Sequence, residues 1–191
     1  GCRPAAPTPV PTPTPIPAKP PPTPGPTPAE PTGKLTWMIG GSVLADFDPT
    51  QHTHLGMIWS EINVYDRLIE VDLENKLQPS LATKWKYIDD TTLEMKLRQG
   101  VKFHDGTDFT AEDVKYALER ATSPGTQSAL WFPCGQLSVD VIDDYTVHIK
   151  TQAPSASLLF SLAMTPIPPA EYSQNPELFA QNGQMGTGPF K

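Results

Sequence analysis

Proline decides where this chain can fold. Of its 24 prolines, 14 fall within residues 1–33. No core can form there: the proline backbone lacks a donor, and the segment has almost no large apolar side chains. Repeated Thr-Pro and Pro-Pro steps favour polyproline II, at about 3.1 Å per residue. Residues 3–33 therefore predict a semi-rigid stalk with a full reach of roughly 95 Å. Folding is left to residues 34–191, one domain's worth of chain. That part holds 12 basic and 20 acidic residues, a net charge of −8. Such a balance argues against nucleic acid as a partner, because phosphate binding needs a basic face. No run of about 18 apolar residues is present, so no membrane-spanning helix is expected.

Two cysteines occur, Cys2 and Cys134. Neither belongs to a CxxC or a Cys/His metal spacing, and their contexts differ too much to expect a bond between them. Gly1-Cys2 resembles the end of a bacterial lipoprotein signal, in which a small residue precedes the cysteine that is lipidated. Cys2 is thus expected to carry a lipid anchor, with the stalk as its spacer. The alternative is a disordered tail with no anchor.

Past the stalk, "KLTWMIGG" reads as a short strand ended by Gly40-Gly41, and "DFDPT" as a turn set by Pro49. Leu55, Ile58, Ile62 and Tyr65 recur at helical spacing, which predicts an amphipathic helix to about Asp66. "LIEVD" is strand-like and "LENK" a turn. "KWKYIDDTTLEMKLRQG" predicts a hairpin turning at Asp89-Asp90. Leu93, Met95 and Leu97 face inward, and Glu94, Lys96 and Arg98 outward. Val101 and Phe103 alternate on an expected strand, and Asp105-Gly106 makes a tight turn. Thr110 and Asp113 form a capping box for a helix whose Val114, Ala117, Leu118 and Ala121 line one face. "SVDVIDDYTVHIKT" predicts a second hairpin turning at Asp143-Asp144, with Val147 and Ile149 on one face and Thr146, His148 and Lys150 on the other. A helix is expected from Pro154 and Ser155, then an extended crossover through "TPIPPAEY" into a short helix. "GTGPFK" reads as a loop entering a strand.

Few residues suggest chemistry. Adjacent residues on a strand point to opposite faces, so His104-Asp105 forms no relay unless a turn folds one onto the other. No GxSxG elbow supplies a nucleophile, and no catalytic residue is assigned. His52-x-His54 could share a metal, but no third ligand is evident; two loop histidines are the plainer reading, and no metal or cofactor is assigned. Glu112-Asp113, Asp89-Asp90 and Asp143-Asp144 are better explained as caps and turns. Trp131, Phe132 and Cys134 in "SALWFPCG" are either a buried plug or a recognition surface.

The stretch "LEMKLRQGVKFHDGTDFTAEDVKYALERA" resembles the signature region of family 5 extracellular solute-binding proteins, the dipeptide, oligopeptide and nickel-type binding proteins of ABC importers. "LTWMIGG" with "DPT", "VYDRLIEVD", "LQPSLATKW", "VDVIDDYTVHIKTQAPSASLLFSLAM" and "GTGPFK" follow the same order, from about Leu35 to Lys191. The resemblance implies an α/β fold of the type II periplasmic-binding-protein kind, two-lobed in the full protein. It places the anchor and linker at 1–33, the start of the first lobe at 34–66, an appended subdomain at 67–183 and a truncated return to the first lobe at 184–191. It implies no enzyme, but capture of an extracellular solute, most commonly a peptide, and delivery to membrane permease subunits. The expected protein is a monomer outside the cytoplasm, tethered through Cys2. By the same resemblance, His54, Leu55 and Gly56 lend backbone to the ligand, and Trp131 lies over it. Three rivals remain: a metal or metal-chelate binder of the same family using His52 or His54, a stalked hydrolase using His104 and Asp105, and a small surface domain complete at 191 residues.

Overall fold

A computed structural model describes residues 48–51 and 61–190, all within one compact unit. Cys2, the stalk, the strand expected in "KLTWMIGG" and the segment carrying His52, His54, Leu55 and Gly56 lie outside the described residues.

Residues 48–51 form the turn that Pro49 predicts, closed by the Gln51 amide on the Asp48 carbonyl at 3.1 Å. Residues 61–64 form a helical turn, α1, which ends where the Tyr65 amide donates to the Glu61 carbonyl at 2.8 Å. Ile62 is 46% exposed, so it does not share the buried face of Tyr65 as its spacing suggested. Tyr65 itself packs with Tyr172, Phe179 and Met185 in a small second core.

β1 (Ile69–Val71) pairs antiparallel with β2 (Leu77–Pro79), a strand the sequence pattern did not suggest. Their turn is organised by Asp72, whose Oδ1 accepts the amides of Glu74 and Lys76 at 3.0 and 2.8 Å. The main sheet has four antiparallel strands in the order β3 (Ala82–Tyr87), β4 (Thr92–Leu97), β6 (Thr146–Lys150), β5 (Ser138–Asp143). Both expected hairpins are present, and β4 pairs with β6 to join them. Asp89 and Asp143 each accept the amide two residues on, at 2.8 Å, which is why both turns begin with aspartate. These amides hold both carboxyls below their ordinary range.

Side-chain alternation assigns the faces. Leu93, Met95, Leu97, Val139, Val147 and Ile149 are buried in the core. Across the wet face, Lys86 and His148 flank Glu94, each 3.2 Å from its carboxylate. The His148 bond, then Lys86, hold that carboxyl below its usual value. Thr146 departs from its expected outward position: it is buried and accepts the Lys96 ammonium at 2.8 Å.

The strand expected at Val101–Phe103 is a loop. Only Lys102 and Asp108 bridge there. Gly100 at φ +74° on one side and the Asp105-Gly106 turn on the other leave no length for a ladder. Helix α2 (Ala111–Ala121) follows, with Val114, Ala117, Leu118 and Ala121 buried as predicted; it packs on β5 and on α4 (Ala170–Gln174). A 3₁₀ turn occupies Ser128–Trp131. α3 (Leu158–Met164) starts later than Pro154 and Ser155 suggested, because residues 152–157 are irregular and Ser157 holds the N-cap position without a side-chain cap bond. α5 (Glu177–Asn182) completes the fold between Pro176 and Gly183.

Asp113 shows how one side chain joins local and tertiary structure. Its Oδ2 accepts the Thr110 amide at 2.8 Å, completing the helix cap, while Oδ1 accepts the Ala170 amide at 2.7 Å and fixes the start of α4. Asp113→Ala leaves both amides short of an acceptor, and a loss of about 1–3 kcal/mol is expected in urea unfolding. Burial raises the Asp113 carboxyl above its ordinary value despite these bonds. Its contribution is therefore fully present below the unfolded carboxyl pKa and declines as pH rises through the raised folded value. Repeating the urea series across acid pH should show that decline in the difference between the parent chain and Asp113→Ala, since the lowered carboxyls of Asp89, Glu94 and Asp143 give both chains the opposite trend.

Candidate functional site

A narrow cleft lies between the 48–51 turn, α2, the 3₁₀ turn and the chain entering α4. Asp48, Thr50, Glu61, Arg120, Trp131 and Thr165 are among its lining residues. It encloses ≈ 30 Å³, room for a water but far below the several hundred Å³ of a ligand pocket. The described residues therefore supply a wall, not a closed pocket.

Arg120 builds this wall. It sits in the last turn of α2 and pairs with Asp48, which is 2% exposed. Its other terminal nitrogen donates to the Ser173 carbonyl at 3.2 Å, so one guanidinium ties three segments. The Asp48 Oδ1 also accepts the Thr50 amide and hydroxyl, both at 2.9 Å. The Thr50 carbonyl in turn accepts the amides of Gln127 and Ser128 at 2.9 and 3.2 Å. These bonds seat the "DPT" turn against the segment that carries Trp131. Nothing local in the sequence singles out Arg120, since its partner is 72 positions away.

Trp131 is half-buried, packs against the core and lines the cleft. Its carbonyl accepts the Ser161 hydroxyl of α3 at 2.6 Å. Phe132 is buried, and Cys134 is a partly buried free thiol packed on the core. The "SALWFPCG" segment is thus part plug and part cleft wall. Leu130 beside it is 77% exposed.

His104 and Asp105 do not form a relay. Asp105 accepts the Thr107 amide and hydroxyl at 2.9 and 2.7 Å. His104 instead faces the Gly186–Gly188 loop, where its Nε2 lies 2.7 Å from the Gly188 carbonyl. That loop also meets the chain leaving α1. The Gly188 and Phe190 amides donate to the carbonyls of Val64 and Asn63 at 2.9 and 3.1 Å, and the Thr187 hydroxyl donates to Asp66 at 2.9 Å. Two glycines permit this approach: a Cβ on Gly186 would lie 2.0 Å from the Val64 carbonyl oxygen, and one on Gly188 2.8 Å away. Among the described residues, no group of three or more His, Cys, Asp or Glu is placed to hold a metal.

Among the described residues, His104 and Asp105 thus serve a loop contact and a turn. Residues 76–191, more than half of the chain, match the middle region of the bacterial extracellular solute-binding proteins, family 5. The chain belongs to this family. Its similarity to the glutathione-binding protein GsiB of Escherichia coli K12 is 33% identity over 135 residues, covering 66% of this chain and 26% of that protein. The heme-binding protein A of Haemophilus influenzae is 33% identical over 159 residues, covering 69% and 29%. Among solved structures, the oligopeptide-binding protein AppA of Bacillus subtilis, in complex with a nonapeptide, superposes with a TM-score of 0.67 at 27% identity, covering 81% of this chain and 32% of that one. NikZ of Campylobacter jejuni, in complex with Ni(L-His), gives 0.66 at 26%, covering 78% and 31%. The chain thus spans between about a quarter and a third of these relatives, and its fold is that of the periplasmic-binding-protein class over this part.

Arg120→Ala strips a buried carboxylate of its guanidinium, and a loss of about 3–5 kcal/mol is expected in chemical denaturation. Adding Asp48→Asn should recover part of that loss, because the buried charge goes with it. Gly186→Ala meets backbone, which cannot yield as a side chain would. It should cost about 3 kcal/mol or more, read as a lowered midpoint in the same experiment.

Proposed function

We propose that this chain provides the start of the first lobe (34–66), the appended subdomain (67–183) and the return segment (184–191) of the solute-binding component of an ABC importer. It captures an extracellular solute, most simply a peptide, and delivers it to membrane permease subunits. Catalysis has no part in this. The protein works as a monomer outside the cytoplasm, anchored through a lipid on Cys2 with residues 3–33 as the stalk. The solute is held by enclosure, with a second lobe closing on the wall described above, and closure follows from tighter binding to the closed state.

Family membership supports this reading. So does the range of peptide chemistry among the relatives, from glutathione to a nonapeptide. The observation that carries the site is the pair of bonds from Gln127 and Ser128 to the Thr50 carbonyl. They hold the segment that carries Trp131 beside Thr50, and we read the His54–Leu55–Gly56 segment that follows as part of the same cleft. His54 follows Thr50 by four positions, a reach of at most about 14 Å. Backbone from 54–56 then serves a peptide as strand-like partners do, and Trp131 covers a side chain.

The similarity to NikZ favours one second reading, a metal chelate held with help from His52 or His54. Calorimetric titration of the full gene product separates the two. The peptide reading expects di- to nonapeptides to bind and Trp131→Ala to weaken them about tenfold. Unchanged affinity would remove Trp131 from the site. Binding of Ni–histidine but no peptide, abolished by His52→Ala with His54→Ala, would establish the chelate reading instead.

A further inference from the structure

His104 is a chemically capable side chain to which solute binding gives no role, and its surroundings define one. Its main-chain amide donates to the Gly186 carbonyl at 3.0 Å. The Nε2 atom is 2.7 Å from the Gly188 carbonyl, which can only accept. The Nδ1 atom receives the Gly186 amide at 3.4 Å, a longer contact in which the amide can only donate. One protonation pattern satisfies both ring contacts: hydrogen on Nε2 and a lone pair on Nδ1.

We infer that His104 is a single-tautomer latch that positions the 186–190 return segment against residues 63–64. The loop is held from two sides. On one side the Gly188 and Phe190 amides bond to Val64 and Asn63, where the glycines admit the backbone. On the other side the imidazole reads one donor and one acceptor of the loop, two residues apart. A side chain 82–84 positions earlier in the chain thereby sets the register in which the polypeptide leaves the subdomain. His104 is a positioning residue and touches no solute. This role does not depend on which solute the protein binds.

The test uses the ¹⁵N-labelled full gene product. Long-range proton–nitrogen correlation of the His104 ring should show Nε2–H with an unprotonated Nδ1 as the only neutral form. An Nδ1–H ring, or a mixture of tautomers, overturns the latch. Hydrogen exchange supplies the second arm. His104→Phe keeps the ring's bulk but neither bond, so the Gly186, Gly188 and Phe190 amides should exchange about tenfold faster while β4 and β6 are unchanged. Retained protection in His104→Phe shows that the ring only fills space, which also overturns the proposal. His104→Gln keeps a donor within reach of the Gly188 carbonyl and should restore protection at Gly188 and Phe190 but not at Gly186. If Gln does no better than Phe, the donor has no role. The tautomer measurement needs only the parent chain, so it decides the matter even if a variant fails to fold.

Discussion

Helix α2 is the element on which the rest of this structure depends. It lies on the four-stranded sheet through Val114, Ala117, Leu118 and Ala121, and it carries a charged side chain turned inward at each end. Asp113 at the start holds the helix cap and the first amide of α4. Arg120 at the end holds the Asp48 turn and the carbonyl of Ser173. Buried charges are costly unless paired or hydrogen-bonded; Arg120 is paired with Asp48, and Asp113 is satisfied by two backbone amides. The cost of misplacing either charge is what fixes α4 and the 48–51 turn relative to the helix. The cleft wall follows that arrangement, since the anchored Asp48 holds Thr50, whose carbonyl meets the Trp131 segment.

A second constraint acts where the chain comes back beside α1. There the limiting quantity is distance between backbones, not charge. Gly186 and Gly188 let the return segment lie against Val64 with no side chain between them, and His104 holds the opposite side. Two crossings of the polypeptide are thus stitched together by main-chain bonds, with Tyr65 and Met185 packed in the same small core. Under the proposed closure, such stiffness is useful: a wall that keeps its shape concentrates the motion of closure elsewhere.

Much of this was legible in the sequence, for identifiable reasons. The two hairpins followed from strict alternation at Leu93–Leu97 and Val147–Ile149 and from aspartates poised to start turns. α2 followed from its cap and its apolar spacing. These are local signals, and tertiary contacts reinforced them. Where local signals were short, tertiary context prevailed. Val101 and Phe103 alternate, yet two turns crowd them too closely for a ladder. Ile62 fits a helical face but lies toward solvent. α5 was not anticipated: Pro176 and Gly183 frame it, but little periodicity lies between them. The cleft was the least legible part. Arg120 meets Asp48 across 72 positions and His104 meets Gly188 across 84, and no spacing rule reaches that far. The family resemblance supplied the fold and the class of function. It named Trp131 as a site residue but gave no hint of the ties that place it.

The central claim is that the 48–56 segment and Trp131 together form one wall of a solute site. Photo-crosslinking tests it most directly. A short peptide carrying a benzophenone side chain would be bound to the full gene product, irradiated, and the adducts mapped by mass spectrometry. The account predicts adducts within residues 50–56 and at Trp131, competed away by unlabelled peptide. Competable adducts confined to other surfaces, with none on either segment, would contradict it.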